Sequence, residues 1–372
     1  MGSQMLVIMD DIKGGEQIAV DRLINAIKNN RLVSECKYLI LKGRVGSQKR
    51  FSFLKNYWNY YSKAQKSIKH ILSGATIDYV LVSDYLWALA AISVKSKKTK
   101  LIFLFHGLKS VPFVHFTDVD YRQVLIKILE RISWMLSDAI TVPSNEGVSC
   151  IKKNIIFNKN KMFLVPNIVP KSFFVRRIPH KKKQFNILYS GRIGINKGLE
   201  NLIEAFTKLN IVISNTKLII AYPSTSADKK VLSIIKNNSK KNSLDKNLNL
   251  IADLNQKELI NLYRESNVLV LPSVIEFAPL SVLESLANGT PVVATNVGNV
   301  ESLLSKIDSN LILKDNSPQE IYSKLMLVYS YDNKKLSDLR KKGIILANTF
   351  SEEGTTRQFK KVLNFLEHNK TP

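Results

Sequence analysis

The chain has 372 residues, 45% of them hydrophobic, enough for two domains that each bury a core. Two cysteines, Cys36 and Cys150, give neither a disulfide framework nor a metal spacing. No apolar run approaches the ~20 residues of a membrane span and no leader-like segment opens the chain, so a cytoplasmic protein, soluble or peripheral to a membrane, is expected. The 55 Lys and Arg against 30 Asp and Glu, net +25, call for an acidic partner: a nucleotide, an anionic lipid or a nucleic acid, and the sequence holds no recognition motif for the last.

In chain order, Met5–Met9 reads as an opening strand and Glu16–Asn29 as a helix with Ile18, Leu23, Ile24 and Ile27 inward. Between them, Gly14-Gly15 stand where a first strand turns into a first helix, the place where a doubly wound sheet lets a phosphate approach. Lys42–His70 holds eight Lys or Arg, six aromatics and no acid, which fits either an anionic membrane surface or a solvated helix with one aromatic face on the core. Residues 78–83 and 100–105 are further buried strands, the second delivering His106-Gly107 at its carboxyl end. Ligands of open α/β sheets bind at such ends, where His106 can meet a sugar hydroxyl or a diphosphate. Asp118-Val119-Asp120 has the form of a metal-binding pair but stands in a polar stretch before a helix rather than at a strand end, so no metal is assigned to it. Residues 138–144 and 161–167 close the first domain, and the basic, proline-containing stretch 176–183 reads as a linker.

A second α/β unit opens with Phe185–Tyr189. Ser190-Gly191-Arg192 follows the strand, and Asn196-Lys197-Gly198 enters a helix with Leu199, Leu202, Ile203 and Phe206 inward. Arg192 can grip phosphate oxygens bidentately and Lys197 adds a point charge, both from the rim of one crevice. Strands at 218–221 and 248–251 follow, with Asp253-Leu254 in the loop after the second, then a helix at 258–266. Val268–Leu271 and Val292–Thr295 are short continuous apolar runs, the mark of strands buried on both faces. Between them Pro279 opens a helix with Leu280, Leu283, Leu286 and Ala287 at helical spacing, and Gly289 fits its C′ position. The amides of that first turn make an anion site flanked by Glu276 and Glu284. Glu284, set among Val282, Leu283 and Leu286, needs a buried partner. Helices at 321–329, 336–347 and 351–368 complete the chain, the last with Phe359, Val362, Leu363 and Leu366 inward.

Glu276-x7-Glu284, followed by Asn288-Gly289-Thr290-Pro291 and by Gly298 and Glu301, resembles the signature of family-4 retaining glycosyltransferases. The resemblance implies the GT-B architecture, an α/β fold of two Rossmann-like doubly wound domains facing a central cleft. It places an acceptor-binding domain at 1–172, a linker at 173–184, a nucleotide-sugar domain at 185–348 and a terminal helix at 349–372 that crosses back to the first domain.

What the resemblance implies for chemistry is sugar transfer, with retention, from a nucleotide-diphosphate donor to a lipid-linked or polysaccharide acceptor in bacterial surface-glycan synthesis. Uridine donors come first and GDP-mannose second. Gly14 and Gly15 close over the donor phosphates, as Gly191, Arg192 and Lys197 hold the diphosphate. Glu276 lies beside the transferred sugar with Phe277, Ala278, Pro279, Leu280 and Ser281 around it, Glu284 binds the ribose, and Leu254 frames the base. His106, Arg192, Lys197 and Glu276 are the catalytic candidates, with no metal and no cofactor. Phe277 stands where the family has Gly, as do Ala221, Ala252 and Ile168, and these departures keep a second class open: a partner subunit with the fold but without turnover. A sugar-nucleotide epimerase of the same architecture is the third.

Overall fold

The computed structural model describes residues 3–10, 15–41, 53–107, 121–154, 159–174 and 184–369. Gly14, residues 42–52, the Asp118/Asp120 pair and the basic stretch 176–183 lie outside them. The chain divides into two compact units. One is Met1–Asp11, Val20–Pro166 and Thr355–Pro372, the other Ile12–Ala19 and Asn167–Gly354. Each is an α/β unit built on a parallel six-stranded sheet.

The first sheet contains β1 (Gln4–Asp10), β2 (Glu35–Leu41), β3 (Tyr79–Val82), β4 (Lys100–Leu104), β5 (Ala139–Val142) and β6 (Met162–Leu164), in the order β2-β1-β3-β4-β5-β6. Its helices are α1 (Gly15–Asn29), α2 (Phe53–Ser73), α3 (Tyr85–Val94), α4 (Tyr121–Leu136) and α5 (Asn145–Asn154). The central strands are apolar without alternation because right-handed crossovers cover both faces with helices. Leu23, Ile24 and Ile27 of α1 are buried as expected, but Ile18 is 45% exposed. At 100° per residue Ile18 points away from the arc formed by Ala19, Leu23 and Ile27, so its position in the sequence run misled where the helical angle does not. α3 lacked a readable period because nearly every residue is apolar. It is buried on most sides, and Asp84 caps it by accepting from the Leu86 amide at 2.8 Å.

The second sheet contains β7 (Phe185–Ser190), β8 (Thr216–Tyr222), β9 (Leu248–Ala252), β10 (Val268–Leu271), β11 (Val292–Thr295) and β12 (Ile312–Leu313). The interleaved helices are α6 (Leu199–Val212), α7 (Lys229–Lys241), α8 (Gln256–Glu265), α9 (Leu280–Ala287), α10 (Val300–Leu304), α11 (Pro318–Ser330) and α12 (Asn333–Asn348). The strand order β12-β11-β10-β7-β8-β9, counted within the unit, is the 3-2-1-4-5-6 order of a Rossmann sheet. Successive connections leave β7 in one direction and β10 in the other, so a crevice opens beyond the carboxyl ends of those two strands. Asn267 fixes their register: its Oδ1 accepts from the Asn186 amide and its own amide donates to the Asn186 carbonyl, both at 2.8 Å. The last helix, α13 (Glu352–His368), packs within the first unit, where Phe365 lies 5.2 Å from Phe163 and Glu367 accepts from the Tyr79 hydroxyl at 3.1 Å.

Candidate functional site

The switch point of the second sheet brings together two loops that the chain separates by about 80 residues. One leaves β7 and carries Gly191, Arg192 and Lys197 into α6. The other leaves β10 and carries Ser273 to Pro279 into α9. They are joined directly: the Val274 amide donates to the Asn196 carbonyl at 2.9 Å. Gly198, at φ +65°, ends the first loop, and a Cβ there would sit 2.2 Å from the Pro272 carbonyl oxygen. Glycine is needed twice over, for the left-handed backbone and for the close approach to the β10 terminus.

Within this pair of loops the Lys197 ammonium donates to Glu276 Oε1 at 2.5 Å, and Ser273 Oγ donates to the same oxygen at 3.0 Å. Both charged side chains are largely buried, 15% and 19% exposed. Desolvated charges of this kind persist only when paired. Thr295 at the end of β11 props the second loop by donating to the Ser273 carbonyl at 2.5 Å. Gly298, at φ +54°, props it further along: a Cβ there would lie 2.5 Å from the Phe277 carbonyl oxygen and 2.7 Å from that of Glu276. Asn299 donates its amide to the Phe277 carbonyl at 3.2 Å, and Asn167 donates from its side chain to the Ala278 carbonyl at 2.9 Å.

α9 starts at Leu280, with Pro279 in the cap position and no side chain bonded to its first amides. The N–H groups of this first turn, around Ser281, lack a side-chain cap and carry the positive end of the helix dipole. Gly289, at φ +68°, closes the helix at C′. Glu284 is 5% exposed, and the buried partner it needs is the Tyr263 hydroxyl, which donates to Oε2 at 2.9 Å. Tyr263, on α8, is itself fully buried against Phe173, ring centroids 6.4 Å apart.

Arg192 is exposed. Its backbone is held from below by Tyr189, whose hydroxyl donates to the Arg192 carbonyl at 2.7 Å. Burial pushes that hydroxyl far above the usual phenol range, and the negative charge of Glu276 pushes the same way, so the bond stays protonated at every working pH. On the other flank, the β9 loop carries Leu254, half-buried on the core. Asp253, at φ +54°, ties this loop to the β8 loop by accepting from the Ser224 amide at 2.9 Å and from its hydroxyl.

Of the remaining predicted positions, Gly15 is the first residue of α1, with open space where its Cβ would be, and His106 follows β4, half-buried. Gly14 lies outside the described residues. Tyr189, Tyr263, Ser273 and Asn167 were not singled out from the sequence. The need of Glu284 for a buried partner is the signal that could have found Tyr263. Among the described residues, no group of three His, Cys, Asp or Glu side chains is placed to hold a metal ion.

Residues 171–345 match the family model described as Glycosyl transferases group 1, just under half of the chain. An uncharacterized glycosyltransferase of Methanocaldococcus jannaschii is 28% identical over 148 residues, 40% of this chain and 36% of that protein. The chain spans about a fifth to a half of the lengths of the curated relatives it matches. Among solved structures, sucrose-phosphate synthase from Thermosynechococcus elongatus superposes with a TM-score of 0.81 at 16% identity, covering 98% of this chain and 99% of that one. The Anabaena protein HepE, solved in complex with UDP-glucose, superposes with a TM-score of 0.75 at 11% identity, covering 98% and 100%. At such identities the likeness shows the fold, and the fold of two parallel α/β units is the GT-B one.

Proposed function

We propose that this chain, whose residues 171–345 belong to the glycosyl transferases group 1 family, moves a sugar from a nucleotide-diphosphate donor to an acceptor hydroxyl, with retention at the anomeric carbon. The observation that carries the reading is the Lys197–Glu276 pair at 2.5 Å on the carboxyl ends of β7 and β10, beside the uncapped start of α9. A cation, a carboxylate and free amides together suit a substrate that is anionic at its diphosphate and cationic, in the transition state, at its sugar carbon.

In the proposed step the bond between C1 and the phosphate oxygen breaks, and its electron pair passes to the diphosphate. The acceptor oxygen forms the new bond to C1 on the same face, and its proton passes to a donor phosphate oxygen. Arg192, Lys197 and the α9 amides take up the charge that develops on the leaving group, without a metal ion in this scheme. Preorganised donors of this kind are worth about 2.7–4 kcal/mol each. When the diphosphate arrives, Lys197 is shared with it, and Glu276 is freed to face the sugar. Gly191 admits the phosphates, Phe277 to Ser281 line the sugar, Glu284 holds the ribose and Leu254 frames the base. Gly15 and His106 are proposed to contact the donor as well. A uridine donor and a lipid-linked or polysaccharide acceptor of a bacterial surface glycan, at the inner face of the plasma membrane, complete the proposal.

Incubating the purified chain with UDP- and GDP-sugars tests it. Slow release of free sugar and nucleoside diphosphate is the expected outcome. Binding without release would make the chain a partner subunit, and a new sugar still attached to its nucleotide would make it an epimerase.

A further inference from the structure

Ser273 is wholly buried, 0% exposed, at the foot of the loop that follows β10. A serine hydroxyl in such a place commonly satisfies itself on a nearby backbone carbonyl. Ser266, Ser285 and Ser302 of the same unit do so, donating to the carbonyls of Leu262, Thr290 and Asn299 at 2.7, 3.0 and 2.9 Å. Ser273 instead donates to a charged side chain, Glu276 Oε1, at 3.0 Å. A hydrogen bond to an ionised acceptor is roughly twice as strong as a neutral one and fixes its direction more firmly.

Two donors therefore share one oxygen. Lys197 also bonds Oε1, at 2.5 Å, and among the described residues nothing donates to Oε2. The two donors differ in freedom. Lys197 carries its ammonium on a flexible four-carbon stem that can turn to another anion. Ser273 swings on χ1 alone, and its backbone is clamped on both sides. Thr295 Oγ1 donates to the Ser273 carbonyl at 2.5 Å, and the amide of the next residue, Val274, donates to the Asn196 carbonyl at 2.9 Å. An arriving diphosphate draws on Lys197. It cannot draw on Ser273, which presents no surface to a ligand.

We propose that Ser273 is a positioning residue of the transfer reaction. It holds Glu276 by Oε1 when Lys197 turns to the diphosphate, and so leaves Oε2 to the sugar. The inference rests on the proposed donor reading and deepens it. Without the hydroxyl, Glu276 would follow the ammonium or swing among rotamers just as positive charge develops at C1. Ser273 touches neither sugar nor phosphate, so its loss belongs to the chemical step and not to nucleotide binding.

Release of free sugar from whichever UDP- or GDP-sugar the wild-type chain hydrolyses tests it, together with calorimetry of the matching nucleoside diphosphate. Ser273→Ala should lower kcat about tenfold to a hundredfold, the worth of one hydrogen bond to a charged group. KM for the donor and the affinity for the nucleoside diphosphate should stay within about twofold of wild type. Lys197 still pairs with Glu276 in the resting variant, so the melting temperature should hold. Glu276→Ala should be slower still, and adding Ser273→Ala to it should cost nothing more, because the group that Ser273 positions is gone. A hydroxyl that only packs the loop would lower the melting temperature, and its loss would multiply with that of Glu276→Ala. Wild-type kcat in Ser273→Ala, a matching loss of nucleoside diphosphate affinity, or losses that multiply in the double variant would each overturn the proposal and leave the donor reading intact. A wild-type chain that hydrolyses none of the sugars sinks the donor reading, and this one with it.

Discussion

Arg192 and Lys197 differ in what their loss should do, and the difference follows from burial. Arg192 is exposed, so Arg192→Ala should leave the melting temperature within a few degrees of wild type. Turnover should fall about 10²–10³-fold if its guanidinium stabilises the leaving diphosphate. Near wild-type turnover would remove it from the mechanism. Lys197→Ala strands a largely buried carboxylate at Glu276, so fold and function fall together and the variant is the poorer probe. Tyr263 offers a finer test. Its hydroxyl pins Glu284, and Tyr263→Phe keeps the packing against Phe173 while releasing that carboxylate. Calorimetry should then show nucleotide affinity reduced about tenfold, the worth of one charged hydrogen bond, while a 2′,3′-dideoxy analogue binds both forms alike. Equal weakening of both nucleotides would mean that Tyr263 shapes the pocket rather than the ribose contact.

At the level of elements, the site is a pair of loops held by glycines. Gly298→Ala would press a Cβ against two carbonyl oxygens, 2.5 Å and 2.7 Å away, on a backbone with φ +54°. The expected cost is about 1–3 kcal/mol of stability, read by denaturant unfolding, with a larger fall in turnover because Glu276 is displaced. A variant as stable and active as wild type would show that the loop is not seated on Gly298. This frame was legible in the sequence for physical reasons. β10 and β11 are short apolar runs cut off by Pro272 and Pro291, and their observed bounds are those the sequence indicates. The strand-end positions of Arg192, Lys197 and Glu276 follow from the same alternation of apolar runs and breakers. The contacts that fix the loops were not legible. The bonds from Tyr189 to the Arg192 carbonyl, Ser273 to Glu276 and Asn167 to Ala278 join residues with ordinary core or turn chemistry, and nothing in a linear pattern distinguishes them.

For the molecule as a whole, buried phenols set an alkaline limit. Burial raises Tyr57, Tyr79, Tyr85 and Tyr189 well above the usual phenol range. In each the folded state holds its proton more tightly than the unfolded chain, whose phenols titrate near ~10. Their stabilising contribution is therefore complete below about pH 10 and is lost as pH rises toward the folded values. The denaturation midpoint should be nearly flat from about pH 7 to 9 and fall beyond about 10, and Tyr189→Phe should make that fall shallower. A midpoint unchanged well above that pH would contradict it.

The central claim is that the crevice beyond β7 and β10 binds the diphosphate of a nucleotide. Calorimetric titration of UDP and of GDP into the full chain and into Arg192→Ala, at one fixed salt concentration, tests this most directly. One of the two nucleotides should bind wild-type protein and bind the variant at least about tenfold more weakly. Binding of neither, or equal binding to both proteins, would contradict the account.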